Sequence, residues 1–454
     1  MDQEEKPSAW ETLEELVRSD KSEEAQDLLE SLSPQQTTLA VSRMSEEGQA
    51  QLLSTLEPEV AADVMELLPE SHAADILERL EPEAASQIVE ELPEPDQTEI
   101  LSNIDEHRVE AILAEMDPID AESIRELREY GEDEVGRLMG TEFVAIYSTD
   151  TVAKVIDQFR SNHQLYSHFD VQYLYVLDSH NVLVGVVPLR TLLLSGHEQL
   201  VRDIMIKEPT RLRDDTTIDQ ADRAFEGNSL VALPIVGSLG EMLGVVLRSS
   251  VEEARSKRSD EDYLKAQGII GGEELRQFPL FVRTHRRLSW LSLNIALSIL
   301  SASVIAIFED TLSSVIALAV FLPVISGIGG SAGYQAVAVS MRELALGLIE
   351  PREVLRVLRK EILVGFLNGL ALGLLIALVA LYWHGNPYLG MVVGVAMMVN
   401  NIIAVLVGGA LPLVLRRIGK DPALASGPIL TTITDMSGFF LALSLATLLL
   451  PLLK

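Results

Sequence analysis

Cysteine is absent from all 454 positions of the sequence. Its absence excludes disulfides, thiolate nucleophiles and Cys-ligated zinc or iron–sulfur centres, and is compatible with a reducing cytoplasm. The opening stretch, MDQEEKPSAWETLEELVRSD, is acidic and has no apolar h-region, so it does not read as a secretory signal. No GxxxxGK[ST] loop occurs, and nothing points to ATP hydrolysis. The eight histidines are scattered, no His/Asp/Ser constellation stands out, and the chain is read as no enzyme. Positive charge is scarce as well: 35 Lys and Arg face 68 Asp and Glu, a formal net charge of −33. An acidic chain repels phosphate, which argues against nucleic acid or anionic lipid as a partner and suits divalent cations. A solvated acidic surface accounts for most of these residues.

The length suggests about three domains of roughly 150 residues each, and the composition is split along the chain. Up to about residue 275 it is polar and acidic; from Leu288 onward Leu, Val, Ile, Ala and Gly dominate. Residues 33 to 127 repeat a unit of about 12 residues, as in LEPEVAADVMELL, PESHAADILERL and EPEAASQIVEEL. Each copy starts with Pro or acids, which suit a first helical turn, and continues with apolar residues at helical spacing. Pro58 and Pro82, like Pro69 and Pro93, stand two units apart, so the helices come in pairs. One such helix cannot bury its own stripe, whereas stacked pairs can, which makes residues 1–135 an α-solenoid.

A second repeat follows. YLYVLDSHNVLVGVVPLRTLL (173–193) parallels VALPIVGSLGEMLGVVLRSSV (231–251), each reading strand, turn, strand, helix. Residues 136–250 therefore resemble a tandem pair of CBS modules, small α+β units that often sense adenine nucleotides or metal ions. Residues 251–287 read as a charged helical connector ending in a basic cluster. Five apolar segments follow, roughly Leu288–Phe308, Leu312–Ser340, Ile362–Trp383, Leu389–Leu415 and Ile429–Leu450, each long enough to cross about 30 Å of hydrocarbon. Arg283, Arg286 and Arg287 precede the first; Arg342, Arg352, Arg356, Arg359 and Lys360 fill the second loop; Arg416, Arg417 and Lys420 fill the fourth. The first and third loops lack Lys and Arg, so the positive-inside rule puts the N-terminal domains in the cytoplasm and the C-terminus outside. The expected fold is a multidomain membrane protein: an α-solenoid, an α+β domain, a connector helix and an all-α five-helix domain over 288–454.

Three features mark the apolar part as a conduit rather than an anchor. Asp435 lies inside the fifth span among Thr431, Thr432, Thr434 and Ser437, where an acid costs at least about 2.5–3.5 kcal/mol at the bilayer centre and is a functional candidate by default. PVISGIGGSAGYQ (323–335) should break the second span and free backbone carbonyls. Asn400 and Asn401 put a polar pair in the fourth span; interhelical hydrogen bonds are the alternative for the Asn pair, and close helix packing is the alternative for the glycines.

VNNIIAVLVGGALPLVLRRIGKDPALASGPILTTITDMSGF (399–439) closely resembles the last part of the MgtE family of magnesium channels and transporters, and the order of the four regions resembles that family over nearly the whole chain. The resemblance implies a homodimer importing Mg2+ across the inner membrane down its electrochemical gradient. Asp435 of each copy would hold the ion, with Asp421 a second metal residue. Gly329, Gly330, Gly333, Gln335, Asn400, Asn401, Thr431 and Thr434 would line the pore. Cytosolic Mg2+ on acidic domains would close it, for which Glu252, Glu253, Glu59 and Asp215 are candidates. Hydrated magnesium needs few carboxylates, which fits one acid per subunit. Departures are also visible. Ser331 and Tyr334 stand where the family usually has Asn, leaving Co2+ or Mn2+ as alternative cargo. PLRT (188–191) and LRSS (247–250) lack the Asp that holds a ribose, which argues against ATP binding. Arg255, Lys257 and Arg258 make the connector mixed in charge. A non-conducting membrane sensor built on the CBS pair is the alternative of a different class.

Overall fold

The structure is a computed structural model that describes residues 8–162, 171–227, 229–269 and 280–453. It divides into two compact units, Met1–Ser256 and Lys257–Lys454.

The first unit begins with short helices, among them α1 (Ala9–Arg18), α2 (Ser22–Ser31), α3 (Pro34–Arg43), α4 (Glu46–Thr55) and α5 (Pro58–Glu66). The run continues with α6 (Glu70–Leu77), α7 (Pro82–Glu91), α8 (Glu94–Ser102), α9 (Glu106–Leu113) and α10 (Pro118–Glu129). Their starts follow the sequence signals. Pro opens α3, α5, α7 and α10, and Asp105 and Asp117 accept the N–H of His107 and Ile119 at 3.0 and 2.8 Å. Helices this short are unstable alone. From α4 onward they pack on the helix two further along: α4 on α6, α5 on α7, α6 on α8, α7 on α9 and α8 on α10. The 12-residue period appears directly in the core, where Val17, Leu29, Val41, Leu53, Met65, Leu77, Val89, Leu101 and Leu113 are all buried.

The two modules that follow share one plan. β1 (Ala145–Tyr147) runs parallel to β2 (Tyr173–Leu177), which pairs antiparallel with β3 (Leu183–Pro188), and β4 (Ile206–Lys207) adds an edge. Likewise β5 (Leu212–Arg213) is parallel to β6 (Ala232–Val236), which pairs antiparallel with β7 (Met242–Leu247). Equivalent bulges at Val176/Leu177 and Ile235/Val236 show that the internal repeat extends to backbone detail. Bridges Gly140↔Val245 and Val182↔Glu241 tie the modules together. A helix, Arg248–Ala266, leaves β7, and its Arg255 ion-pairs with Asp222. The mixed charge of this helix thus neutralises part of the acidic surface. The remainder of the expected connector, residues 270–279, lies outside the described residues.

Among its described residues the second unit holds five helices long and apolar enough to cross a membrane: Leu280–Ile307, Leu318–Ala345, Val354–His384, Pro387–Arg417 and Pro422–Leu448, hereafter the first to fifth spans. At 1.5 Å per residue each exceeds the hydrocarbon thickness. The first begins earlier than its apolar run, so Arg283, Arg286 and Arg287 ride on its opening turns. The second begins later, because Glu309–Ser314 forms a separate short helix that stops at Val315.

One expectation fails here. The second span is not broken at PVISGIGGSAGYQ; it is one continuous helix with Pro323 inside it, and none of its glycines takes a positive φ. The glycines serve approach rather than irregularity. A Cβ on Gly333 would stand 3.1 Å from the Ala404 carbonyl, and one on Gly408 would strike the Gly333 carbonyl. Helices without a hydrophobic drive between them associate through such small-residue contacts. The third and fourth spans use the same device. Gly365, Gly369 and Gly373, four residues apart, face Ile402, Met398 and Gly394, and a Cβ at Gly369 would sit 2.7 Å from the Met398 carbonyl.

Candidate ion site in the membrane unit

The second and fifth spans lie side by side and antiparallel, because Ser326 meets Asp435 while Tyr334 meets Thr431 and Gly427. Asp435 is partly buried, and its Oδ1 accepts a hydrogen bond from Ser326 Oγ. A bond to a charged group contributes about 1.5–3 kcal/mol, comparable to the insertion cost of the acid. The charge is therefore held in place rather than merely tolerated. One turn toward the fourth loop, Thr431 Oγ1 lies 3.3 Å from the Tyr334 hydroxyl and donates to the Gly427 carbonyl at 3.0 Å.

Behind this pair the helices are pinned by Asn400. Its Nδ2 donates to the Ile325 carbonyl at 3.2 Å, and its Oδ1 accepts from Ser437 Oγ at 2.6 Å. Asn401 Nδ2 donates to the Gly365 carbonyl at 3.1 Å, joining the third span to the fourth. Both asparagines are 0% exposed. Within the chain they reach no accessible surface, and they make interhelical hydrogen bonds. Thr434 is likewise wholly buried, its hydroxyl donating to the Thr431 carbonyl. Gly329 packs on Asn400 and Gly333 on Leu430 and Ala404. The accessible face carries Gly327, Ser331, Tyr334 and Gln335 from the second span, with Thr431 and Asp435 partly exposed beside it. At Gly330 an added Cβ would meet open space.

Asp421 does not share the Asp435 site. It caps the fifth span, accepting the Ala423 N–H at 2.8 Å, and fourteen residues of helix put it about 21 Å from Asp435 along the axis. Its charged neighbours include Lys265 and Asp262, whose carboxyl is held above the usual carboxylate range by burial and then by the charge of Asp421.

In the first unit the four expected regulatory acids are not brought together. Asp215 is paired with Arg213 at 2.8 Å, and Glu59 sits in the first turn of α5, where it complements the helix dipole. Glu252 is exposed. Glu253 lies near other acids. Burial, and then Asp96, Asp63 and Glu253, push the Glu66 carboxyl above its ordinary value. Among the described residues, no group of three or more His, Cys, Asp or Glu is arranged to hold a metal directly. Ser326, Glu66, Asp63, Asp96 and Asp262 were not singled out from sequence; the first lay inside the quoted glycine segment, and the acids carry no local signal beyond their charge.

Comparison with known proteins places these features. Residues 32–133 match the family profile described as MgtE intracellular N domain, 135–197 and 201–257 match the CBS domain, and 322–445 match the family described as divalent cation transporter. The magnesium transporter MgtE of Thermus thermophilus is 34% identical over 339 residues, 74% of each chain. That of Bacillus subtilis is 31% identical over 334 residues, 73% of each chain. A crystal structure of the cytosolic domain of the Mg2+ channel MgtE in complex with ATP is similar over 53% of this chain and 98% of that one, at 26% identity and a TM-score of 0.49. With these profiles falling in order along the sequence and such relatives matched over nearly three quarters of their length, the chain belongs to the MgtE family.

Proposed function

We propose that this chain imports Mg2+ across the inner membrane, down the ion's electrochemical gradient, through a pore between two copies of itself. The observation that carries the reading is Asp435: an acid within the spans, partly accessible, hydrogen-bonded to Ser326 and next to a face of glycine and hydroxyl side chains. The relatives named as magnesium transporters support the choice of ion. A non-conducting sensor has no use for such an acid. Magnesium gives up its water reluctantly, so two carboxylates, one from each copy, suffice for a hydrated ion, with Thr431 and Tyr334 hydroxyls accepting from its waters. A divalent ion entering gains about 4.6 kcal/mol per 100 mV, twice the single-charge figure, and needs no ATP. The chain reconstituted in liposomes is expected to take up Mg2+ when an inside-negative potential is imposed, with Co2+ and Mn2+ as the competing cargoes. Uptake of those two without Mg2+ would overturn the assignment of the ion.

The loop charges put the first unit in the cytoplasm and the end of the fifth span outside. Tags at the two termini are expected to be accessible from opposite faces of the membrane, and labelling of both from one face refutes the five-span topology.

Cytosolic Mg2+ closes the pore in this reading, acting where acids crowd: Glu66 with Asp63, Asp96 and Glu253, and Asp262 with Asp421. These donors are all carboxylates, which suit a hard cation. The folded state holds Glu66 protonated more tightly than the unfolded chain does. Packing around it therefore weakens as pH rises past the ordinary Glu value, and at neutral pH it gains from a bridging cation. Digestion of the full-length protein in detergent at neutral pH is expected to slow in millimolar Mg2+, and Glu253→Gln is expected to shrink that protection. Equal cleavage with and without the ion would show that Arg255 and its pair with Asp222 have taken over the role of the metal.

A further inference from the structure

The Ser326–Asp435 bond belongs to a closed circuit of three helices. Ser326 Oγ donates to Asp435 Oδ1. The preceding residue, Ile325, gives its carbonyl to Asn400 Nδ2 at 3.2 Å, and Asn400 Oδ1 takes a bond from Ser437 Oγ at 2.6 Å, two residues beyond Asp435 on the fifth span. Asn400 is 0% exposed and packed against Gly329 and Gly438, so it has no room to turn. Ser326 is therefore fixed in place from behind, and it occupies one of the two oxygens of Asp435.

We infer that Ser326 sets ion selectivity by engaging one oxygen of each Asp435 and so making it a poorer cation ligand than the other. The inference rests on the transport reading above. The other oxygen can accept a hydrogen bond from the water shell of a hydrated ion. The bond from Ser326 to Oδ1 disfavours the bidentate carboxylate that larger, more readily dehydrated Ca2+ takes with its six to eight oxygen ligands. A carboxylate relieved of Ser326 offers both oxygens and rewards ions that shed water. Ser326 is thus a positioning residue that acts through Asp435. It discriminates by disfavouring a coordination mode, as specificity often works by penalising the wrong partner.

The test measures Mg2+ uptake into proteoliposomes and its block by Ca2+ for the wild type, Ser326→Ala and Ser326→Thr. The expected result is that Ser326→Ala still takes up Mg2+ but is blocked by about tenfold less Ca2+ relative to its Mg2+ half-saturation, a shift equivalent to about 1.4 kcal/mol. Ser326→Thr, which keeps the hydroxyl, is expected to restore the wild-type ratio. A purely structural serine would change the amount of folded protein and leave the ratio alone. If Ser326→Ala does not elute as the wild type does, Ser326→Cys replaces it, being near in size and a weak donor. An unchanged ratio in the hydroxyl-free variant, or a lowered one that Thr does not restore, overturns the inference while leaving transport standing. A wild-type chain that takes up no Mg2+ sinks both.

Discussion

Replacing Asp435 with Asn is expected to remove Mg2+ uptake while leaving the protein folded. Asn keeps the size and can still accept from Ser326, so the contact between the second and fifth spans survives. A neutral side chain also inserts more cheaply than a charged one. The loss is electrostatic: each copy forfeits a negative charge, and the remaining hydroxyls and carbonyls are dipoles. Removing a desolvated charge partner costs about 2–5 kcal/mol, so uptake should fall by about 100-fold. Asp421→Asn is the contrast. Asn caps a helix as well as Asp does, so the bond to the Ala423 N–H is kept, and the charge removed lies some 21 Å from Asp435 by helix rise. Its uptake should stay near the wild-type level, with the change falling on closure by cytosolic Mg2+ through Asp262. Normal conduction by Asp435→Asn would make the acid structural.

Gly369→Leu is expected to cost the fold itself. A Cβ at this position would lie 2.7 Å from the Met398 carbonyl and 3.2 Å from its Cα, both backbone atoms that cannot swing aside. Neighbouring Gly365 and Gly373 make the same close approach one turn away on either side, so the third and fourth spans must part along three turns. Overpacking a tight contact costs about 1–3 kcal/mol and sometimes more. Parting the helices also strains the bond from Asn401 to the Gly365 carbonyl. The thermal midpoint in detergent should drop by several degrees or the protein should aggregate. Gly330→Ala is the control, because its Cβ would meet nothing within 4 Å. Equal stability of wild type and Gly369→Leu would mean that the two spans do not touch as described.

Much of the architecture was legible from periodicity. The 12-residue repeat specified the solenoid because each unit opens with Pro or an acid and carries its own buried position, as from Val41 to Leu113. The tandem strand–turn–strand segments specified two like modules, and the structure adds a shared bulge. Five apolar runs specified five spans, although their ends moved where Glu309–Ser314 coiled separately and where Arg283 to Arg287 joined the first span.

Asp435 is legible in the sequence as a candidate, since an acid in an apolar run stands out wherever it falls. The sequence could not assign the polar residues around it. Asn400, Asn401 and Thr434 look like pore residues in a list, and glycines at 323–335 look like a broken helix. Which of two faces a helical residue presents depends on neighbours far away in the chain. Only tertiary structure turned Asn400 toward Ile325 and Ser437, and Gly333 toward Gly408. Only it set Ser326, 109 positions distant in sequence, against Asp435. Local pattern fixes which segments become helices and what they can bury, because those preferences are carried by each residue and its neighbours along the chain. Partner choice across helices is decided by packing and by the need of every buried polar group for a hydrogen bond, and neither is written at any single position.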